Sequence, residues 1–208
     1  ILEIRGQVLL CTTNKITLVA ELNDGTRIYG ESAIDIPGNL AREHIKDIFL
    51  VPHFDNKITV YPPVIEAIRN SDYILLGPGD LFTSIIANLI VPGIKEALQE
   101  TSAKLIYILN LMTKFGETHF FSGRDFVNKI EAYLGRRVDG IVCNTCKPGD
   151  RLLQKYAGER AEPVKIQQLE NRAEERSIYA VDLLDDAENI IRHDPKKLAA
   201  TLQNIISC

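Results

Sequence analysis

Methionine is all but absent from this 208-residue chain: the only one is Met112, and the sequence opens at Ile1 with no initiator. The expectation is a processed or truncated piece of a longer protein. Cysteine is scarce as well. Cys11, Cys143, Cys146 and Cys208 are too few and too irregular for a disulfide framework, which points to a reducing compartment, the cytoplasm. Neither sign of charge prevails. With 24 Lys and Arg against 28 Asp and Glu the net charge is −4, so no field favours nucleic acid or an anionic membrane, and any bound anion must be held locally. The longest apolar stretches, Tyr73 to Leu76 and Ser84 to Gly93, fall short of the ~20 residues a membrane span needs. The N-terminus shows no basic region followed by an apolar core and a small-residue cleavage site, so no secretory leader is expected. Gly-x-Ser-x-Gly, a Walker A loop and His-Glu-x-x-His are all missing, which lowers every hydrolase reading, and no Gly-x-Gly-x-x-Gly opens the first unit.

What is there describes a folding domain. Hydrophobic residues at 45% and charged residues at 25% match globular averages and exclude a disordered chain, and the length suits one domain over 1–208. Ile16 to Leu22 is β-rich, Asp24-Gly25 is a strong hairpin signal, and Arg27 to Glu31 returns, so an antiparallel hairpin opens the chain. Ile48 to Val51 is a further short apolar run ended by Pro52, and Pro62-Pro63 starts a helix. Beyond them the pattern alternates. Tyr73 to Leu76, Leu105 to Leu111 and Gly140 to Cys143 read as strands buried on both faces, because each is nearly continuous. Between them Pro92 to Ser102 and Ser122 to Leu134 have helical spacing, the second with a Ser122/Asp125 capping signal and a Gly135 stop. Asp194 to Ile206 reads as a closing amphipathic helix. Strand and helix in alternation predict an α/β fold with a mainly parallel sheet and right-handed crossovers. Gly149 to Arg176 holds six acidic and six basic side chains, which reads as solvated surface.

Ligands of open parallel sheets bind beyond the carboxyl ends of the strands, so three loops matter. Gly77-Pro78-Gly79-Asp80-Leu81-Phe82-Thr83-Ser84 offers glycines for close approach, two hydroxyls and a helix start, and so suits a phosphate or diphosphate; the plainer reading is a tight turn with a capped helix. Asp80 repels phosphate, so it points away, caps the helix or meets a divalent cation. Asn110-Leu111-Met112-Thr113-Lys114-Phe115-Gly116-Glu117-Thr118 is densely polar: Asn110 and Thr113 suit a sugar or base edge, Lys114 a phosphate, Glu117 a hydroxyl or a metal. Equally, Thr118 or Ser122 caps the next helix and Lys114 is solvated. Cys143 and Cys146 have C-x-x-C spacing, but the scattered His44, His53, His119 and His193 complete no zinc site, so core or incidental cysteines are the better reading.

The stretch Tyr73 to Ile94 followed by Asn110 to Thr118 closely resembles the gluconeogenesis-factor family (YvcK-like), within the 2-phospho-L-lactate transferase (CofD-like) superfamily. Asp24 to Ser32 is similar to that family's early hairpin and Tyr156 to Val164 to its late segment, so the resemblance covers essentially the whole chain. It implies a Rossmann-like three-layer α/β/α protein. It also implies that the first strand and its Gly-Gly-Gly-Thr-Gly phosphate loop precede the region where this chain starts, so that this chain alone binds nucleotide poorly. The function implied is binding of a uridine diphosphate sugar such as UDP-N-acetylglucosamine, in regulation of cell-wall precursor supply and cell shape. The alternative is a transferase moving a phospholactyl group from a nucleotide diphosphate to a deazaflavin, with Mg2+ on the diphosphate. Carried over, Gly77, Pro78, Gly79, Thr83, Ser84 and Asn88 form the phosphate side, and Asn110, Met112, Thr113, Gly116, Glu117 and Thr118 the second motif. Serine is common where Asp80 stands, proline where Ala87 stands, and a phenol near Phe121. The resemblance names no catalytic residue and no resident metal, and a homo-oligomer stays open.

Overall fold

The structure is a computed structural model that describes residues 5–38, 42–54, 57–167, 169, 176–187 and 189–207. The first unit is antiparallel. β1 (Ile16–Leu22) pairs with β2 (Arg27–Tyr29) in the register Val19↔Tyr29. Gly25, at φ +86°, makes the turn; its N–H donates to the Leu22 carbonyl at 3.0 Å, while Asp24 accepts from Thr26 N at 2.8 Å. The returning strand stops at Tyr29, short of the expected Glu31, because Gly30 at φ +93° turns the chain into the short α1 (Glu31–Asp35). β3 (Ile45–Pro52) contains the apolar run at 48–51 and lies along β1 from Ile16↔Pro52 to Leu22↔Ile45, giving the order β2-β1-β3.

The second unit begins with α2 (Pro62–Arg69), its prolines at the positions where a missing N–H costs nothing. β4 (Tyr73–Leu76) leads through a loop into a π-helical turn (Leu81–Ile86) continued by α3 (Ala87–Leu89). Then come α4 (Ile94–Glu100), β5 (Lys104–Ile108), α5 (Gly123–Leu134), β6 (Gly140–Asn144), α6 (Asp150–Gly158) and β7 (Ser177–Val181). A small hairpin of β8 (Leu184–Asp185) and β9 (Arg192–His193) precedes α7 (Pro195–Ser207). Strands β4-β5-β6-β7 form one parallel sheet in sequence order, with Leu76 beside Tyr107, Ile108 beside Val142 and Cys143 beside Ala180.

Alternation along β5 separates the layers. Leu105, Tyr107 and Leu109 enter the large core shared with α4, α5 and the antiparallel sheet, whereas Ile106 and Ile108 face Leu198, Leu202 and Ile205 of α7. The architecture is α/β, Rossmann-like and layered, with the antiparallel sheet appended. β4 departs from the reading of a strand buried on both faces: it is the edge of the described sheet, and Leu75 remains 40% exposed. Among the described residues no single helix is long and apolar enough to cross a membrane.

Candidate functional site

The loops after β4 and β5 meet at the carboxyl end of the parallel sheet and border a cleft of about 950 Å³. One wall is Pro78, Gly79, Asp80 and Ser84, and the floor is Asn110 to Phe115. Asp35 of α1 closes one end, and Tyr156, Ile191 and His193 close the other.

The first loop is folded tightly on itself. Gly77 stands at φ +88°, where a Cβ would come 3.1 Å from Ile85 Cδ1 and 3.2 Å from the Ile108 carbonyl oxygen, so only glycine fits. Asn110 ties this loop to the next strand: its Nδ2 donates to the Gly79 carbonyl at 2.9 Å and its Oδ1 accepts from Tyr107 OH at 3.3 Å. The Asp80 carbonyl accepts from both Ser84 N and Ile85 N at 3.0 Å, the wide closure of a π-turn, a geometry that recurs at functional sites. The N–H groups of Leu81, Phe82 and Thr83 in the opening turn have no intrahelical acceptor, which gives this end of the helix a partial positive charge.

The second loop spends most of its polar groups on its own shape. Thr113 N donates to the Glu162 carbonyl at 2.7 Å, and Thr113 Oγ1 accepts from Glu162 N at 2.9 Å. Thr118 Oγ1 accepts from Lys114 N at 3.0 Å. Gly116, at φ +84°, lies under Pro37, where a Cβ would approach the proline ring to 2.9 Å.

At the α1 end of the cleft three carboxylates surround one ammonium. Lys114 Nζ donates to Asp35 and, at 2.6 Å, to Asp80 Oδ2. It stands 3.2 Å from Glu117 Oε1, an ion pair without hydrogen-bond geometry, so both Glu117 oxygens lack a hydrogen bond although the residue is only 1% exposed. Burial pushes the Glu117 carboxyl up to about 7, with Lys114 opposing and Asp80 and Asp35 reinforcing the rise. Burial works against the Lys114 ammonium, yet the three carboxylates outweigh it and hold its pKa above the ordinary lysine value. Arg42, on which the Glu117 charge also acts, is buried too and donates Nη1 to the carbonyls of Ala33 and Ile34 at 3.3 and 2.7 Å.

The candidate residues thus divide. Pro78, Gly79, Asp80, Ser84, Asn110, Met112 and Thr113 line the cleft. Thr83 and Asn88 do not: they lie on the far side of their helix beside a smaller hollow of about 400 Å³ with Cys11 and Leu50. Asn88 Nδ2 donates to the Ser84 carbonyl at 2.6 Å, and its Oδ1 accepts from Cys11 Sγ at 3.1 Å. Gly77, Gly116 and Thr118 shape the loops from behind. Lys114, read either as a phosphate partner or as a solvated side chain, is held by carboxylates. Asp80, at the helix N-cap, makes no capping bond and pairs with Lys114 instead. Cys143 is buried in the core while Cys146 is exposed, and no group of three potential metal ligands among the described residues includes either. Asp35, Tyr156, Ile191 and His193 were not foreseen, because they reach the cleft from distant elements. The segment read as solvated surface supplies Tyr156, Glu159 and Ala161 to the cleft wall.

A Mg2+ held by the protein beside a diphosphate would need carboxylate oxygens that are free to bind it. The three carboxylates that converge here, Asp35, Asp80 and Glu117, already share the Lys114 ammonium, so as they stand they do not fit the ion.

Residues 1–184 match the family described as 2-phospho-L-lactate transferase CofD. The gluconeogenesis factor of Bacillus subtilis is 35% identical over 207 residues, which cover 99% of this chain and 63% of the relative. That of Listeria innocua is 33% identical over 208 residues, covering 97% and 60%. The X-ray crystal structure of a Bacillus halodurans protein superposes with a TM-score of 0.85 at 34% identity, over 96% of this chain and 62% of that one. The chain spans about three-fifths of the length of these two curated relatives and about two-fifths of the Nostoc one.

Proposed function

The chain belongs to the CofD family, and on that footing we propose that it serves as the cytoplasmic nucleotide-sugar-binding part of a gluconeogenesis factor, with a ligand of the UDP-N-acetylglucosamine type. In this reading the bound state regulates cell-wall precursor supply and cell shape. The observation that carries it is the junction of two strand-end loops around one cleft of about 950 Å³, at the upper end of the range for small-molecule sites. Gly79 and the Ser84 hydroxyl suit the diphosphate, while Asn110, Asp80 and Asp35 offer acceptors to sugar hydroxyls. Phosphate is disfavoured next to Asp35, Asp80 and Glu117, so a hydroxylated group belongs nearer Lys114 and the diphosphate nearer Gly79 and Ser84, away from that cluster.

Thermal unfolding of the full-length protein with UDP-sugars tests the proposal. A ligand at 100 times its dissociation constant adds about 2.7 kcal/mol, and no shift with any UDP-sugar at millimolar concentration would end this reading. Asn110→Ala removes the clamp on Gly79 and is expected to weaken binding by ~1–3 kcal/mol, measured by titration calorimetry.

The far end of the cleft favours a second reading. Leu111, Met112, Tyr156 and Ile191 make an apolar wall suited to a flat ring, as in transfer of a phospholactyl group to a deazaflavin. Turnover of a nucleotide-diphosphate-linked phospholactate with a deazaflavin acceptor would favour it over the binding protein; absence of product would remove it.

A further inference from the structure

The arrangement around Lys114 has the composition of a cation site with the cation supplied by the chain. Carboxylate oxygens of Asp35, Asp80 and Glu117 lie within 4.8 Å of one another, although they come from α1, the loop after β4 and the loop after β5. Like charges held that close are unstable without a shared counter-ion. The Lys114 ammonium stands among them, with 2.6 Å to Asp80, 3.2 Å to Glu117 and a direct contact to Asp35. Its N–H groups donate to Asp35 and Asp80, and Glu117 is held by charge alone. Glu117 is the decisive member: it is 1% exposed, neither oxygen has a hydrogen bond, and a buried carboxylate so placed depends on a neighbouring cation.

We infer that Lys114 is the resident cation of a three-carboxylate site formed by Asp35, Asp80 and Glu117, and that this site binds a divalent metal only when the ammonium is removed. The spacing agrees with an ammonium. Carboxylate oxygens around Mg2+ or Mn2+ approach the ion to about 2.1 Å, closer than the 2.6 and 3.2 Å measured here. A metal entering the intact site would have to displace a tethered charge that never leaves the protein. The consequence for the cleft is that any Mg2+ arriving with a diphosphate is carried by the phosphates and not by these side chains.

The experiment uses Mn2+ alone, followed by loss of the free-ion electron paramagnetic resonance signal at pH 8. No nucleotide is present, so the outcome is independent of the ligand proposed above. Wild type is expected to bind no Mn2+ at this site up to millimolar concentration. Lys114→Met, which keeps the apolar stem, is expected to gain one site at least tenfold tighter than any weak surface binding, and adding Glu117→Gln is expected to abolish it. Wild-type binding that Glu117→Gln removes would overturn the inference, because the ammonium would then not hold the site. A folded Lys114→Met protein that binds no Mn2+ would overturn it as well, since the carboxylates would not form a cation site. Lys114→Gln, shorter and able to hydrogen-bond Asp80, provides the same comparison if the Met variant does not fold.

Discussion

Glu117 and His119 lie two residues apart, and burial moves them in opposite directions. Glu117 releases its proton near 7 in the folded protein, against about 4.5 for an ordinary glutamate. The folded state therefore binds the extra proton between those values, and this contribution to stability falls as pH rises from about 4.5 to 7. His119, which accepts a hydrogen bond at Nδ1 from Gly116 N at 3.3 Å and stacks on His44 at 3.8 Å, is lowered to about 4 from 6.5. Burial is the largest cause, followed by His44, Arg42 and Arg160. Here the unfolded chain binds the extra proton, so the contribution grows as pH rises from about 4 to 6.5. Each amounts to something on the order of 3 kcal/mol at 1.36 kcal/mol per unit. Urea unfolding as a function of pH separates them: relative to wild type, Glu117→Gln is expected to gain stability toward pH 7, and His119→Gln to gain it toward pH 4. Identical profiles for wild type and Glu117→Gln would show that the carboxyl is not desolvated as described.

Among the elements, α5 shows how closely a local pattern can fix a helix. Ser122 Oγ accepts from Asp125 N, Asp125 Oδ2 accepts from Ser122 N at 2.8 Å, and Gly135 ends the helix at φ +68°. Ser122→Ala is expected to cost about 1 kcal/mol, a fall of ~2–4 °C in Tm for a chain of this size, with ligand affinity unchanged. Calorimetry measures it, and an unchanged Tm would mean that the cap adds nothing. The strand–turn–helix at 73–89 was only half legible. Its residues announce a strand, a glycine turn and a helix start, but the π-turn closes on the Asp80 carbonyl in a loop that Asn110 and the Ile108 carbonyl hold from the neighbouring strand. The burial of β4 was misread for a related reason: continuity of apolar residues says a strand is buried, not whether a neighbouring strand covers its side.

At the scale of the molecule the cleft depends on the docking of two sheets. Leu18, Ile34 and Ile48 of the antiparallel unit share one core with Phe82, Phe126 and Ile130 of the parallel unit. That docking brings Asp35 to Lys114 and sets Pro37 over Gly116. Tyr133 of α5 fastens the same seam. Its hydroxyl donates to Asp47 and accepts from Ile48 N at 3.2 Å, both in β3, and burial with the nearby Asp47 carboxylate raises its pKa. Tyr133→Phe is expected to destabilise the protein by ~1–2 kcal/mol, with both sheets still unfolding together. Circular dichroism and intrinsic tyrosine fluorescence followed in one denaturant titration check this, and two separated transitions would contradict a shared core.

The sequence by itself determined what local chemistry dictates: the Asp24-Gly25 hairpin, the capped α5, the alternation that makes a parallel sheet, and the two loops whose residues carry the family likeness. Tertiary structure decided which of those loop residues face the cleft. Thr83 and Asn88 share a motif with Gly79 and Ser84 yet turn away, because a helix presents successive residues to different sides. Lys114 reads as a phosphate partner or a solvated side chain until Asp35, 79 positions distant in the chain, arrives beside it. Long-range packing alone sets the partner of a charge, and a charge's partner decides what it can bind.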